Sequence, residues 1–299
     1  MSSLPVTETR HEQSRERAQP GLRGLAIVLS LSALVLALYW KVLPPLVAQW
    51  RDDPNYSHGF LVPLFSLYLI WRGRAVLAAL PRNGVLLGLV VVVLGIGLLY
   101  LGDLGADNFL MRSSLVVVVG GLVLFHLGLP IFRAVLFPLV FLIFMVPLPG
   151  VIFYAITFPL QQLAAQQAAW TLDALGVPVL LDGNIIHLAQ LSLGVTEACS
   201  GIRSLISLAA AAVAWAYLFL PRGWAMIVFV AATLPITIVA NAARVVLTGL
   251  IGQYVSVEYA SGFFHEFAGL VIYVAAFACL LGTQSVMSLG LRLLARGRA

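Results

Sequence analysis

The sequence predicts an all-α polytopic membrane protein, and its composition and its repeated apolar stretches are the two observations behind this prediction. Of the 299 residues, 61% are hydrophobic and only 10% are charged, and the mean hydropathy is +1.02. A soluble domain of this length carries far more charge. Stretches of about 20 apolar residues recur along the chain, which is the length of helix that crosses a hydrocarbon core of roughly 30 Å.

Eight stretches have this length or approach it. We predict transmembrane helices near residues 22–43, 59–71, 84–101, 114–128, 132–148, 202–220, 224–250 and 263–285. The first is too long for the apolar core of a cleaved signal peptide, so we interpret it as a retained anchor. One membrane domain, 22–285, is therefore predicted between a polar cytoplasmic tail, 1–21, and a basic cytoplasmic tail, 286–299.

The distribution of charge predicts the orientation, because cytoplasmic loops are rich in arginine. With the N-terminus inside and eight crossings, the inner face collects Arg10, Arg15, Arg17, Arg23, Arg72, Arg74, Arg82, Arg133, Arg222, Arg292, Arg296 and Arg298. The outer side then holds Lys41, Arg51 and Arg112 together with every acidic residue beyond the N-terminal tail. We therefore expect a multi-pass protein of the cytoplasmic (inner) membrane with both termini in the cytoplasm.

The segment 150–175 is apolar enough for another crossing, but it carries several glutamines and Asp173. We predict an amphipathic helix on the extracytoplasmic side, since one more crossing would move Arg222 and the basic C-terminus outside. Two β-like runs follow around the turn signal Asp182-Gly183. They predict a small extracytoplasmic β-hairpin or meander that leads to Cys199.

Three reactive side chains lie at the outer ends of predicted spans: Cys199, Arg244 and His265. Cys199 precedes the apolar run that begins at Ile202, so it falls in the N-terminal cap region of a helix, where the N–H groups and the dipole favour a thiolate. Arg203, one turn later, adds positive charge. A buried structural cysteine is the alternative interpretation. A disulfide to Cys279 is implausible, because that residue lies about 21 Å along the last span from His265.

Arg244 lies inside the apolar run 224–250, towards its outer end. A charge near the middle of the membrane costs roughly 2.5–3.5 kcal/mol on insertion scales, so we expect Arg244 to face the bundle interior and to find a partner. Asn241 and Thr248 lie on the same helical face, which indicates a polar cavity. An arginine that snorkels to the interface is the alternative.

His265 begins the last span at a depth close to that of Cys199 and Arg244, and it is a candidate proton carrier. An interfacial histidine with a structural hydrogen bond is the alternative. The neighbouring Glu266 invites a zinc interpretation, but Gly269 stands where a zinc-protease helix has its second histidine. We therefore expect no metal and no other cofactor.

Other outer residues could take part in the same chemistry. Ser200 is a rival nucleophile, although it lacks the Gly-x-Ser-x-Gly turn. His58 and His187 are rival bases or hydrogen-bonding supports, and we rank both below His265. The residues expected in supporting or substrate-binding roles are Arg203, Asn241, His58 and Glu197.

Four blocks, in this order, resemble the exosortase/archaeosortase family over roughly residues 26–282. They are Tyr56-Ser57-His58-Gly59, Glu197-Ala198-Cys199-Ser200-Gly201-Ile202-Arg203-Ser204-Leu205, Ala240-Asn241-Ala242-Ala243-Arg244-Val245 and Gly262-Phe263-Phe264-His265-Glu266-Phe267-Ala268-Gly269. The resemblance implies a multi-spanning cysteine transpeptidase with Cys199 as nucleophile, Arg244 as transition-state stabiliser and His265 as proton carrier.

The resemblance also implies the substrates. Members of this family process exported, membrane-anchored proteins with a C-terminal sorting signal, in bacteria usually of the PEP-CTERM type: a Pro-Glu-Pro motif, one transmembrane helix and a basic tail. We therefore expect a thioester acyl-enzyme at the periplasmic face of the membrane, with membrane lipid around the chain and no nucleic acid partner.

Two alternatives from other functional classes stay open at this stage. A transporter or flippase would use Arg244 to bind an anionic solute, and it would tolerate replacement of Cys199. A membrane acyltransferase, or an assembly subunit without catalysis, would leave the common depth of Cys199, Arg244 and His265 unexplained. We did not find the inverted repeats that many transporters contain.

Overall fold

A computed structural model describes residues 22–195, 201–221, 223–261 and 263–296 of the chain. The predicted tail 1–21 lies outside the described residues, and so do Glu197, Cys199 and Ser200. For residues 260–266, which include His265, only the backbone is described, and Gly262 is outside the described residues. The contacts within the chain divide it into two units, Met1–Val47 and Ala48–Ala299.

The described chain is mainly helical. Its α-helices are α1 (Leu22–Leu38), α2 (Leu43–Asp52), α3 (Leu61–Arg72), α4 (Arg74–Ala79), α5 (Leu87–Leu104), α6 (Asn108–Leu127), α7 (Leu129–Phe141), α8 (Gly150–Ala174), α9 (Ile202–Phe219), α10 (Trp224–Ala231), α11 (Thr233–Tyr254), α12 (Val257–Ser261) and α13 (Phe263–Arg296). Two short 3-10 helices, Pro54–Phe60 and Leu142–Met145, precede α3 and follow α7.

The number of spans differs from the prediction of eight. Among the described residues, five helices are long and apolar enough to cross a membrane: Leu87–Leu104, Asn108–Leu127, Ile202–Phe219, Trp224–Tyr254 and Phe267–Ser288. The number rises to seven if each of two bent helix pairs is one span. The predicted stretch 59–71 is not among these candidate spans, because α3 has 12 residues and ends at Arg72, with Gly73 as its C-cap. Such a helix is about 18 Å long by itself, and the 3-10 helix Pro54–Phe60 leads directly into it. The count of eight spans is therefore not confirmed.

The predicted surface helix at 150–175 is present as α8, and it follows α7 and its 3-10 turn through a bend of 75°. The break comes at Pro147-Leu148-Pro149, where proline removes backbone donors. The first half of α8 exposes apolar side chains, namely Val151, Ile152, Tyr154 and Phe158. This surface is suited to lipid rather than to water, so the amphipathic pattern predicted from the glutamines does not describe the first half.

A small antiparallel sheet of three strands follows α8: β1 (Leu180–Asp182), β2 (Ile185–His187) and β3 (Ser192–Gly194), in the order β1-β2-β3. Asp182 pairs with Ile185 across the turn, and Gly183 has a φ of +59° that favours glycine. The sheet packs on α8 and α11 through a shared core that includes Leu172, Ile186 and Val245. The chain therefore leaves β3 beside α11, a few residues before α9 begins.

Two further packing contacts hold the bundle around the site. Helices α5 and α6 lie close together because Gly95 and Gly102 face Val118 and Met111 without a side chain between them. Helices α9, α10 and α13 share a second core that includes Leu208, Phe229 and Leu280. Ile236 and Ala240 of α11 pack against this second core, so α9, α11 and α13 are neighbours, and these three helices carry most of the candidate site.

Candidate active site

A cavity of about 700 Å³ lies where four segments of the Ala48–Ala299 unit meet. The segments are the 3-10 helix with the start of α3, the first turns of α9, the middle of α11 and the first half of α13. The described residues that line the cavity are Pro54, Ser57, His58, Leu61, Arg203, Ser204, Ser207, Arg244, Gly269, Leu270 and Tyr273. Two arginines and a histidine are among these described residues, so the lining offers several hydrogen-bond donors.

Arg244 reaches the cavity from α11, and its guanidinium lies beside Gly269 of α13. A Cβ at Gly269 would lie 3.5 Å from Cζ of Arg244 and 3.6 Å from its Nη2 atom, which is ordinary contact. A side chain longer than a methyl group at this position would therefore enter the space that the guanidinium occupies. His265 precedes Gly269 by four residues in α13, which places the two positions on the same face of that helix, one turn apart.

Gly201 fixes the start of α9 on α11. Its φ is +82°, in the left-handed region, and a Cβ would lie only 3.1 Å from Cβ of Asn241. Asn241 is buried, with 5% of its surface exposed, and it precedes Arg244 by three residues on the same helical face. Gly201 therefore begins the described chain next to the turn of α11 that carries Arg244, and Cys199 precedes Gly201 by two residues in the sequence.

Arg203 supplies a second guanidinium to the cavity from the first turn of α9. Its Nε atom is buried and has no hydrogen-bond partner among the described residues. A buried donor without an acceptor costs free energy, so this atom is available to an anionic acceptor. Arg203 follows Cys199 by four residues in the sequence.

The Tyr56-Ser57-His58-Gly59 block fastens the 3-10 helix to the segment after α7. The His58 Nε2 atom lies 3.2 Å from the carbonyl oxygen of Phe144, and the Tyr56 hydroxyl accepts a hydrogen bond of 3.2 Å from the N–H of Leu148. Next to them, the Trp50 indole donates to the carbonyl of Met145 over 2.8 Å. We call this set of three hydrogen bonds the 3-10 clasp.

The clasp sets the tautomer and the charge of His58. The Phe144 carbonyl only accepts, so the hydrogen bond requires a proton on Nε2. Burial lowers the pKa of His58, and the hydrogen bond to Phe144 opposes this shift only in part. Burial also raises the pKa of Tyr56. Both rings are therefore neutral hydrogen-bonding groups near pH 7.

Comparison with protein-family models matches residues 50–282 to the transmembrane exosortase model. The chain belongs to the transmembrane exosortase family. The match covers most of the chain and contains all residues described around the cavity. No curated protein and no solved structure is matched.

Membership in the exosortase family supports a role as a membrane transpeptidase in general, with exported proteins as substrates. The apolar helices agree with a multi-pass membrane protein. The cavity of this exosortase brings together three of the residues singled out in the sequence: His58, Arg203 and Arg244. Asn241 lies beside it and packs on Gly201.

Two residues considered in the sequence lie elsewhere in this exosortase. His187 is on β2, where its Nδ1 atom lies 2.8 Å from the Ser192 hydroxyl, and it is not among the residues that line the cavity. Cys279 is an exposed free thiol on α13. It follows Gly269 by ten residues, which is about 15 Å along the helix.

Sequence reasoning did not single out Tyr273, Ser204 and Ser207 as lining residues. A signal for Tyr273 was present, because it follows Gly269 by four residues and His265 by eight, a spacing that places all three on one helical face. The serines follow Arg203 within the first two turns of α9. Their small side chains leave room in the cavity beside the two guanidinium groups.

Proposed function

We propose that this exosortase is a membrane-embedded cysteine transpeptidase that cleaves C-terminal sorting signals of the PEP-CTERM type from exported proteins at the outer face of the cytoplasmic membrane. One observation carries the proposal. Arg203 and Arg244 share a cavity that is bordered by α9, which begins just after Cys199, and by the face of α13 to which the His265 position belongs.

In the first step, the thiolate of Cys199 attacks the carbonyl carbon of the scissile peptide bond. Its position before α9 supports the thiolate, because helix N-termini and nearby cations lower the pKa of a thiol. The carbonyl oxygen takes up the electron pair and becomes an oxyanion. Arg244 stabilises this charge through its planar set of donors. Gly269 is small enough to leave room for the guanidinium beside α13.

In the second step, the tetrahedral intermediate collapses and the C–N bond breaks. The imidazolium of His265 gives its proton to the leaving nitrogen, and the acyl group stays on Cys199 as a thioester. An acceptor amine then attacks the thioester, forms a new amide and restores the thiol. Water in place of the amine gives hydrolysis.

We assign the recognition of the acidic residue in the sorting signal to Arg203. The signal carries a glutamate between two prolines, and Arg203 brings a guanidinium to the cavity from the first turn of α9. The buried Nε atom of Arg203 is suited to such an acceptor. The transmembrane helix of the substrate restricts it to two dimensions, so the bilayer supplies part of the positioning.

The remaining residues act as supports in this proposal. Asn241 positions the start of α9 through its contact with Gly201. His58 holds the 3-10 helix at the edge of the cavity through the clasp to Phe144. Glu197 belongs to the same loop as Cys199 and is proposed as a supporting residue.

The test is cleavage of a membrane-anchored substrate by the full chain in reconstituted membranes. Cys199→Ala should abolish cleavage and the thioester adduct, while the matched variant Cys279→Ala should keep both, because Cys279 is outside the cavity. Cleavage by inserted and folded Cys199→Ala at the wild-type rate would refute the proposal. Loss of substrate binding on replacement of Arg244, with Cys199 dispensable, would instead indicate anion transport.

A further inference from the structure

A second cavity, of about 390 Å³, lies at the opposite end of α3 from the candidate active site. The first cavity contacts Leu61, the first residue of α3, and the second contacts Ile70 and Trp71 near its end. These positions are about 14 Å apart along the helix axis. The second cavity is therefore a separate feature, formed between α3, α4, α6 and α7.

The lining of this cavity is apolar apart from two arginines. Valines and leucines of α6 and α7 form its wall, including Val119, Val123 and Val135. Arg74 and Arg82 are the charged residues among those that line it. Because α6 is long and apolar enough to cross the membrane, the cavity faces the region where lipid chains meet polar headgroups.

The fold holds the side chain of Arg74 and the backbone next to Arg82. The Arg74 guanidinium lies 4.5 Å from the ring centroid of Trp71, and its Nη1 atom donates to the Trp71 carbonyl over 3.2 Å. Next to Arg82, Asn83 pairs with Gly128 in a parallel bridge. A Cβ on Gly84 would clash with the Phe125 carbonyl, so this loop packs directly on the end of α6.

Among the described residues, no carboxylate forms an ion pair with the arginines of this cavity. From Leu61 to Gly102 the sequence contains Arg72, Arg74 and Arg82 and no acidic residue. The ion pair between Arg51 and Asp52 lies outside this region. Two cations beside an apolar cavity are complementary to a ligand that has an anionic head and an apolar tail.

We propose that this cavity binds an anionic phospholipid. Its phosphate contacts Arg74 and Arg82, and part of one acyl chain enters the cavity between α6 and α7. Trp71 marks the level of the membrane interface, where tryptophan is enriched. Basic pockets between transmembrane helices recognise lipid phosphates in this way. The inference is independent of the proposed catalytic function.

The experiment is native mass spectrometry of the full chain, purified in detergent and supplied with equal amounts of phosphatidylglycerol and phosphatidylcholine. The wild type should retain phosphatidylglycerol in preference, and Arg74→Gln with Arg82→Gln should weaken its binding about tenfold or more. The matched control is Arg72→Gln with Arg133→Gln. It removes the same charge from residues outside the cavity lining and should leave the preference unchanged.

Two further arms identify the part of the lipid that is bound. Val123→Trp fills the apolar wall and should reduce phosphatidylglycerol binding although both arginines remain. Inorganic phosphate in excess should not displace the lipid, since it lacks an acyl chain. Equal loss in the two arginine pairs, no preference for the anionic lipid, full displacement by inorganic phosphate, or unchanged binding by Val123→Trp would each overturn the proposal. Variants are compared only if their thermal unfolding in neutral lipid matches the wild type.

Discussion

The guanidinium of Arg244 lies against the backbone of Gly269, with its Cζ atom 3.5 Å from the place that a Cβ would take. This contact joins two of the sequence blocks that resemble exosortases, one on α11 and one on α13. It also limits the space open to the guanidinium on the side of α13. An oxyanion stabiliser needs restricted donors, because they act only when they are already aimed at the charge that develops.

The first prediction concerns Gly269→Leu. The larger side chain should displace the Arg244 guanidinium and lower kcat by about tenfold or more, since a shift of 1 Å in a catalytic group can cost ~10²-fold. Gly269→Ala should retain most activity, because 3.5 Å is an ordinary contact distance for a Cβ. The measurement is kcat and KM for substrate cleavage in reconstituted membranes.

Gly282→Leu is the matched control for this prediction. Gly282 lies on the same helix, and a Cβ there would meet nothing within 4 Å. The Gly282→Leu variant should cleave substrate at the wild-type rate. Equal rates for Gly269→Leu and Gly282→Leu would show that the contact of Gly269 with Arg244 has no part in catalysis.

A second prediction concerns Gly201→Ala. Gly201 has a φ of +82°, so alanine should lower the free energy of unfolding by about 1–2 kcal/mol. Alanine should also push the start of α9 away from Asn241, whose Cβ lies 3.1 Å from the new methyl position. Cleavage should therefore fall by more than the loss of folded protein explains.

Gly176→Ala separates these two effects. Gly176 has nearly the same φ, +80°, but a Cβ there would meet nothing within 4 Å. It should lose similar stability and keep the specific activity of the folded fraction. The expectation is tested by thermal unfolding and by cleavage rate per folded molecule, and it is refuted if the two alanine variants have the same specific activity.

The third prediction uses the pH dependence of stability at His58. Burial lowers the pKa of His58 below its usual value of 6.5. The folded protein then binds this proton less readily than the unfolded chain, so the stability contributed by neutral His58 is present above pH 6.5 and is lost as the pH falls through the folded pKa. His58→Gln keeps a donor for the Phe144 carbonyl and removes the titration. The variant should lose less stability on acidification than the wild type.

Tyr56→Phe provides the control within the same clasp. It removes the acceptor for the Leu148 N–H and should cost about 1 kcal/mol at every pH. Its loss of stability on acidification should match that of the wild type, because His58 is unchanged. Unfolding by denaturant at several pH values gives the slopes, and identical slopes in His58→Gln and wild type would contradict the assignment.

Much of the fold follows from the sequence, because long apolar stretches have few alternatives to a membrane helix. Helix α5 begins at Leu87 where residue 84 was predicted, and α6 begins at Asn108 where residue 114 was predicted. The span predicted at 59–71 is not confirmed, since apolar composition does not reveal that α3 ends after 12 residues. Pro147 and Pro149 mark the place of the bend between α7 and α8, but its angle of 75° depends on packing that single-residue patterns do not contain.

The candidate site was predictable in part for a similar reason. Charged or titratable residues are rare in this chain, so Arg203, Arg244 and His58 stood out before the structure brought them to one cavity. The roles of Gly201 and Gly269 were not predictable from their type alone. Each depends on which side chain of a neighbouring helix faces it, namely Asn241 or Arg244.

The last prediction concerns His265 and the thiolate of Cys199. The His265 position is one turn from Gly269 on α13, and in the proposed mechanism its cationic imidazole favours the thiolate before it protonates the leaving nitrogen. Removing the imidazole should therefore raise the apparent pKa of Cys199 and lower turnover together, because one group has both tasks.

The measurement is the rate of Cys199 alkylation against pH in wild type and His265→Ala, both in a Cys279→Ala background that leaves one thiol. The alkylation curve should move to higher pH in His265→Ala, whereas His187→Ala, which alters a residue outside the cavity lining, should leave it in place. If the curves of wild type and His265→Ala coincide while folding is intact, His265 does not interact with Cys199. The proton carrier would then have to be sought at His58, which lines the cavity, and His58→Gln would have to abolish turnover.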